Sequence, residues 1–191
     1  MGGSVSLTPE ERGVLLQLAR ESIESVARGQ DPPRVDTDAV PEALQRPGAS
    51  FVTLNKGANL RGCVGSLEAR RSLVLDVQEN GLGAAFRDPR FAPVRPEEVP
   101  DLHIEISVLS EPRRLAYSST QELLGSIRPG VDGVVVERDW HRATFLPQVW
   151  EKLPEKDLFL ERLCLKAGLL ADAYRRGDLD VFTYQVEKFT E

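Results

Sequence analysis

Long apolar runs are missing from this 191-residue chain. No stretch of about 18 consecutive apolar residues occurs, which excludes a helical membrane span and argues against a membrane partner. The opening MGGSVSLTPEERG has no apolar core, so it does not read as a secretory signal, and a cytoplasmic location is expected. Cysteine is scarce: Cys63 and Cys164 are the only two, far apart and in different kinds of segment. Without a secretory context, reduced thiols are the better reading. Cys-x-x-Cys and His-x-x-x-His spacings are absent, so no metal site is expected, and nothing in the sequence asks for a cofactor. A basic excess is lacking too. The net charge of −6 argues against phosphate-backbone binding and hence against a nucleic-acid partner.

What is present is ordinary for a soluble globular protein: 41% hydrophobic and 28% charged residues, enough chain for one full domain or a domain with a smaller lobe. Residues 1–6 are expected to be a disordered lead-in and residues 7–190 a single domain. Leu7 to Arg28 reads as a helix, with Thr8 as cap, Pro9 in the first turn and Glu11 three residues after the cap. Ser50 to Asn55 reads as a strand and Gly57-Ala58-Asn59 as a turn. Arg71 to Phe86 is a helix weakened by Gly81 and Gly83, a cost that points to close packing. Leu102 to Leu109 alternates as a half-buried strand. Gln121–Ile127 is a short helix that Thr120 can cap. Val134–Arg138 and Arg142–Leu146 form a hairpin. Glu155–Gly168 is a helix burying Leu158, Phe159, Leu163 and Leu165, and Val181–Val186 is a terminal strand. Strands that neighbour one another as hairpins, with helices inserted irregularly, imply an α+β fold: an antiparallel sheet with packed helices.

One hexapeptide stands apart, Leu60-Arg61-Gly62-Cys63-Val64-Gly65. It frames a cysteine between glycines where the chain can bend. Residues 56–71 hold Lys56, Arg61, Arg70 and Arg71 against Glu68, a local charge of +3 in an otherwise acidic chain. A thiolate is the nucleophilic form of cysteine, and a neighbouring cation and exposed amides favour it. Gly62 and Gly65 allow backbone angles or close approaches closed to other residues. Arg61, Arg70 and Arg71 suit bidentate capture of a carboxylate or phosphate, so an anionic small molecule or a modified protein is a natural ligand. The competing reading makes Cys63 a small buried hydrophobe and the glycines an architectural bend.

Histidines and carboxylates are the two kinds of partner the thiol could have. His103 sits on the polar face of a strand and His141 in a hairpin turn, both as solvated residues, so a cysteine–histidine pair is poorly supported. Glu105, mid-strand among apolar neighbours, and Glu68, just past the motif, are the candidate general bases. Their alternatives are an exposed strand face for Glu105 and a salt bridge to Arg70 or Arg71 for Glu68. Cys164, among Leu160, Leu163 and Leu165, reads as core. Trp140, in a turn, is the aromatic best placed for a contact surface.

The motif LRGCVG followed by SLEARRSL resembles the LRGCIG signature of the AMMECR-one domain family, with Val64 in place of isoleucine. The later stretches AAFRDPRFAPVRPEEVPDLHIEISVLSEP, RPGVDGVVVERDWHRATFLPQVWEKLP and DVFTYQVEKF resemble further blocks of that family, so the likeness spans roughly residues 7–190. It is most similar to the prokaryotic branch, the AmmeMemoRadiSam system protein A type. The resemblance implies an α+β fold with an antiparallel sheet, in a larger and a smaller lobe. It also implies co-occurrence with a Memo-like protein and a radical S-adenosylmethionine protein, and Cys63 as the favoured active-site candidate with Arg61, Gly62 and Gly65 beside it. It implies no particular reaction. A thiol-dependent enzyme, a transferase or hydrolase with the motif amides as an oxyanion-type site, and a non-catalytic scaffold of the same system both fit it.

Overall fold

The computed structural model describes residues 6–191, so most of the expected disordered lead-in lies outside the described residues. In chain order the elements begin with α1 (Pro9–Ala27), α2 (Glu42–Gln45), β1 (Pro47–Lys56), β2 (Asn59–Gly65), β3 (Arg71–Ser72), α3 (Leu73–Phe86) and β4 (Leu102–Leu109). There follow β5 (Arg113–Arg114), α4 (Thr120–Ser126), β6 (Gly133–Arg138), β7 (His141–Phe145), α5 (Lys156–Lys166), β8 (Asp180–Tyr184) and β9 (Val186–Thr190). Two compact units result: residues up to Leu109 with the C-terminal Glu187–Glu191, and Ser110–Val186.

The first unit is built on a sheet ordered β2-β1-β4-β9, with the short β3 pairing the start of β1. Alternation decides its faces. Val52 and Leu54 of β1 and Ile104, Ile106 and Val108 of β4 point to one side, where Leu15, Ala19 and Ile23 of α1 and Val74, Val77 and Ala84 of α3 complete a core. Helix α1 starts where the sequence places it. The Thr8 hydroxyl accepts from the Glu11 N–H at 3.2 Å, and the Glu11 carboxylate accepts from the Thr8 N–H at 2.7 Å, a reciprocal cap. Of the two glycines of α3, Gly83 is there for packing, since a Cβ on it would lie 2.9 Å from Val64 of β2, whereas a Cβ on Gly81 would come no nearer than 3.7 Å to Ala19.

The second unit holds an antiparallel sheet ordered β5-β8-β6-β7. Its core gathers Val134 and Val136 of β6, Val181 of β8, and Phe159, Leu160, Leu163 and Cys164 of α5. Trp150 stacks on Phe159 at 3.6 Å between ring centroids, and Phe145 meets Phe159 edge-on at 5.2 Å. The α+β class with antiparallel sheets is as expected.

Local expectations needed correction in four places. The hexapeptide is not a bend but strand β2, paired antiparallel with β1. Leu158 and Leu165 of α5 are exposed, whereas Leu160 is buried beside Cys164, which is core as expected, because the helix turns its 159/160/163/164 stripe to the core. Helix α4 is capped by Ser119, whose hydroxyl accepts from the Glu122 N–H, rather than by Thr120. The terminal strand is two strands, β8 in the second sheet and β9 in the first.

Candidate functional site

The motif strand lies at one edge of the first sheet, with its inner neighbour β1 on one side. A hairpin counted outward from the Lys56–Asn59 pair would set Cys63 opposite Val52, facing the helices. It does not, because the register shifts: Asn55 pairs with Leu60 but Leu54 pairs with Gly62, leaving Arg61 as the extra residue of a β-bulge. One residue of slip exchanges the faces of everything beyond it. Gly62 and Val64 consequently face α3, while Cys63 and Gly65 face the far side, opposite Thr53 and Phe51.

The glycines make this arrangement possible. A Cβ on Gly62 would lie 2.1 Å from the Ala84 carbonyl oxygen, and one on Gly65 would lie 2.2 Å from the Phe51 ring. Neither glycine has a positive φ, so each is required for close approach rather than for an unusual backbone angle.

On the far face a polar row crosses the sheet. The Thr53 hydroxyl donates to Cys63 Sγ at 3.3 Å. Thr53 is paired across the next strand with Glu105, and Lys188 of β9 holds the Glu105 carboxylate at 3.0 Å. The Cys63 N–H points away from β1, to Asp88 Oδ2 at 2.9 Å, so Cys63 and Thr53 form the closer, non-hydrogen-bonded kind of antiparallel pair. That is why their side chains meet. Cys63 is half-buried and its thiol is free of any disulfide, as is that of Cys164. Cys164 is core, and burial pushes its thiol upward.

Asp88 is buried directly after α3, and Arg90 grips it. Arg90 Nε donates to Oδ1 at 2.9 Å and Nη2 to Oδ2 at 2.6 Å. The Arg90 hydrogen bonds hold the Asp88 carboxyl far below the usual carboxylate range, with the Cys63 and Arg90 N–H groups acting in the same direction against burial. Arg90 Nη2 also reaches the Cys63 carbonyl oxygen at 3.4 Å.

The three arginines of the motif region do not converge. The bulge sends Arg61 to the loop after α3, where it donates to Glu98 through Nε and Nη2, both at 3.2 Å, and to the Ala92 carbonyl at 2.9 Å. The Arg61 guanidinium draws the Glu98 carboxyl down to about 2. Arg61 and Arg90 both lie over the Phe91 ring, at 5.9 and 5.4 Å. Arg70 pairs with Glu68 at 2.6 Å in an exposed loop, and Arg71 approaches Asp76 at 3.5 Å. Of the two candidate bases, Glu105 shares the cysteine's face and Glu68 sits in that loop. His103, exposed on β4, is paired with Asn55, and His141 Nδ1 contacts the Ala167 carbonyl at 2.9 Å in the second unit. Trp140 is exposed at the β6–β7 turn.

Sequence reasoning missed Thr53, Asp76, Asp88, Arg90 and Lys188. Asp76 is a buried hub: its Oδ2 accepts from the Ser50 N–H at 2.9 Å, the Ser50 and Ser66 hydroxyls at 2.7 and 2.6 Å, and Asn80 Nδ2 at 2.9 Å. An acid inside the apolar stretch Leu73–Val77 was a readable signal for it. For Asp88 the signal was the Asp-Pro-Arg tripeptide after a helix. Thr53 and Lys188 had none, because only register brings them to the site.

Among the described residues no group of three or more His, Cys, Asp or Glu side chains is placed to hold a metal ion, and no helix is long and apolar enough to cross a membrane.

Fold and site together define an α+β protein that carries LRGCVG on an edge strand and presents its cysteine to the face away from the helices. The chain belongs to the AMMECR1 family, whose model matches residues 16–189. A protein of Methanothermobacter thermautotrophicus is 39% identical over 186 residues, covering 97% of this chain and 96% of its own. One from Thermofilum pendens is 38% identical over 203 residues, covering 97% and 92%. The crystal structure of the uncharacterized protein PH0010 from Pyrococcus horikoshii superposes with a TM-score of 0.79 at 32% identity, covering 97% of this chain and 93% of that one.

Proposed function

We propose that this chain is of the AmmeMemoRadiSam system protein A type and acts in the cytoplasm as a thiol-dependent transferase or hydrolase, beside a Memo-like protein and a radical S-adenosylmethionine protein. The observation that carries the reading is the row Cys63–Thr53–Glu105–Lys188, which sets a half-buried thiol against a hydroxyl and a carboxylate on one sheet face. In this reading Cys63 Sγ attacks an electrophilic carbonyl carbon and the new C–S bond forms. The thiol proton is taken up by Glu105, the carboxylate on the same sheet face, and the carbonyl electron pair moves onto oxygen. Collapse of that adduct expels the leaving group, which takes the proton back. Water or a second acceptor then releases the acyl group. Lys188, paired with Glu105, and Arg90, paired with Asp88, border the row, and an anionic small molecule or a modified protein is the proposed substrate.

A non-catalytic scaffold of the same system is the second reading. It draws support from the motif cations, each of which already has its own carboxylate. Cys63→Ser separates the two. The enzyme reading expects retained co-purification with the partner proteins and loss of the pathway product. Retention of both complex and product would overturn it in favour of the scaffold.

A further inference from the structure

Cys63 sits on an edge strand, and an edge strand ordinarily leaves its outward N–H and C=O unpaired. Here both outward groups of this one residue are met by side chains from a single loop. Asp88 Oδ2 accepts from the Cys63 N–H at 2.9 Å, and Arg90 Nη2 donates to the Cys63 carbonyl at 3.4 Å. Asp88 is itself fixed, because Arg90 engages both of its oxygens and the Arg90 N–H donates to Oδ1 at 3.1 Å. Its carboxylate is buried, with a side-chain exposure of 2%, so it is not an incidental surface contact.

We propose that Asp88, pinned by Arg90, is a positioning residue for Cys63: the pair imitates a partner strand, locks the cysteine backbone at the sheet edge, and keeps Sγ against Thr53. This rests on the reading of Cys63 as the functional thiol. It has a chemical corollary. The Cys63 N–H already holds a carboxylate, so it does not serve as an oxyanion donor, and the motif-amide oxyanion site expected from the sequence does not include it. The donor left facing the sulfur is the Thr53 hydroxyl.

The test uses the full chain and iodoacetamide as probe, with Cys63 alkylation read peptide by peptide and amide exchange read by NMR. In Asp88→Ala the Cys63 amide is expected to exchange at least tenfold faster. Alkylation of Cys63 is expected to rise at least fivefold, because the thiol is freed and a nearby negative charge is gone. Protection at Ile104 and Ile106, in the sheet interior, stays unchanged. Asp88→Asn keeps one oxygen for the Cys63 N–H and is expected to recover at least half of both effects on a logarithmic scale. Adding Arg90→Ala to Asp88→Ala is expected to add less than twofold, since the two act as one unit. Unchanged exchange and alkylation at Cys63 in Asp88→Ala would overturn the proposal. So would loss of protection at Ile104 and Ile106 in step with Cys63, or an Asp88→Asn variant indistinguishable from the alanine variant. These outcomes are independent of the Cys63→Ser result, so a failure of the positioning role is distinct from a failure of the thiol reading.

Discussion

Gly62 and Cys63 are consecutive residues that live on opposite faces of one strand, and the two faces obey different rules. On the helix side the backbone of β2 presses so close to the end of α3 that no side chain fits at Gly62, and Val64 packs into the notch left by Gly83. On the far side the same strand carries a thiol beside a hydroxyl, and Gly65 yields its space to the Phe51 ring. Packing constrains the first face and polar contact organises the second. The second sheet repeats one of these devices: a Cβ on Gly133 would lie 2.3 Å from the ring of Tyr184, its paired residue. A glycine opposite an aromatic is therefore a general packing solution in this chain rather than a mark of the site.

The largest expected effect lies on the helix face. Gly62→Ala drives a methyl into a backbone carbonyl that cannot rotate away, and about 3 kcal/mol of stability should be lost in urea unfolding. Gly83→Ala meets the Val64 side chain first and gains helix propensity of about 1 kcal/mol, so it should cost much less. Equal costs for the two would break the contrast between backbone and side-chain contact. The next effect separates the two cysteines. Cys63 should be alkylated in the native protein at least about 100-fold faster than Cys164, which is sealed in the second core and reacts only through opening of the structure. Comparable native rates, read by mass spectrometry of the two peptides, would mean that the far face does not expose its thiol.

Smaller again is the Arg61–Glu98 pair. Arg61→Met leaves Glu98 without its strongest partner and should cost about 2 kcal/mol at neutral pH. The sign of its pH dependence follows from Glu98, whose carboxyl is lowered from its ordinary 4.5 to about 2 in the folded chain. A lowered carboxyl stabilises above its unfolded value and loses that contribution as pH falls through the folded one. The gap between wild type and Arg61→Met should therefore close as the pH drops from about 4.5 to about 2. A gap that is constant across that window would assign the cost to lost packing. Smallest of all, Thr53→Val keeps the shape of a β-branched strand residue and removes the donor to sulfur. It should change stability by less than about 1 kcal/mol while the pathway product falls. An undiminished product would remove Thr53 from the site.

Much of the fold was legible because it rests on local physics. The reciprocal Thr8–Glu11 cap, the alternation of Leu102–Leu109 and the β6–β7 hairpin each follow from a few neighbouring residues. The errors came where distance along the chain is no guide. Leu158 and Leu160 are equally apolar, and only the direction from which the core approaches α5 selects between them. The terminal strand reads as one run of alternating residues. Nothing local tells it to divide at Gln185 and serve two sheets.

The site divides in the same way. Sequence by itself determined that the chain is an acidic α+β protein, and that one cysteine sits in a glycine-framed motif and the other in a core helix, because composition, periodicity and caps act over short range. Tertiary structure alone decided what Cys63 touches. A single bulged residue, Arg61, turns the thiol away from the helices toward Thr53. It hands the motif arginine to Glu98, and the loop after α3 then supplies Asp88 and Arg90 to the strand edge. Because a one-residue slip exchanges the two faces of a strand, the partners of the cysteine are a property of register, and register is settled by the packing of the whole sheet against its helices.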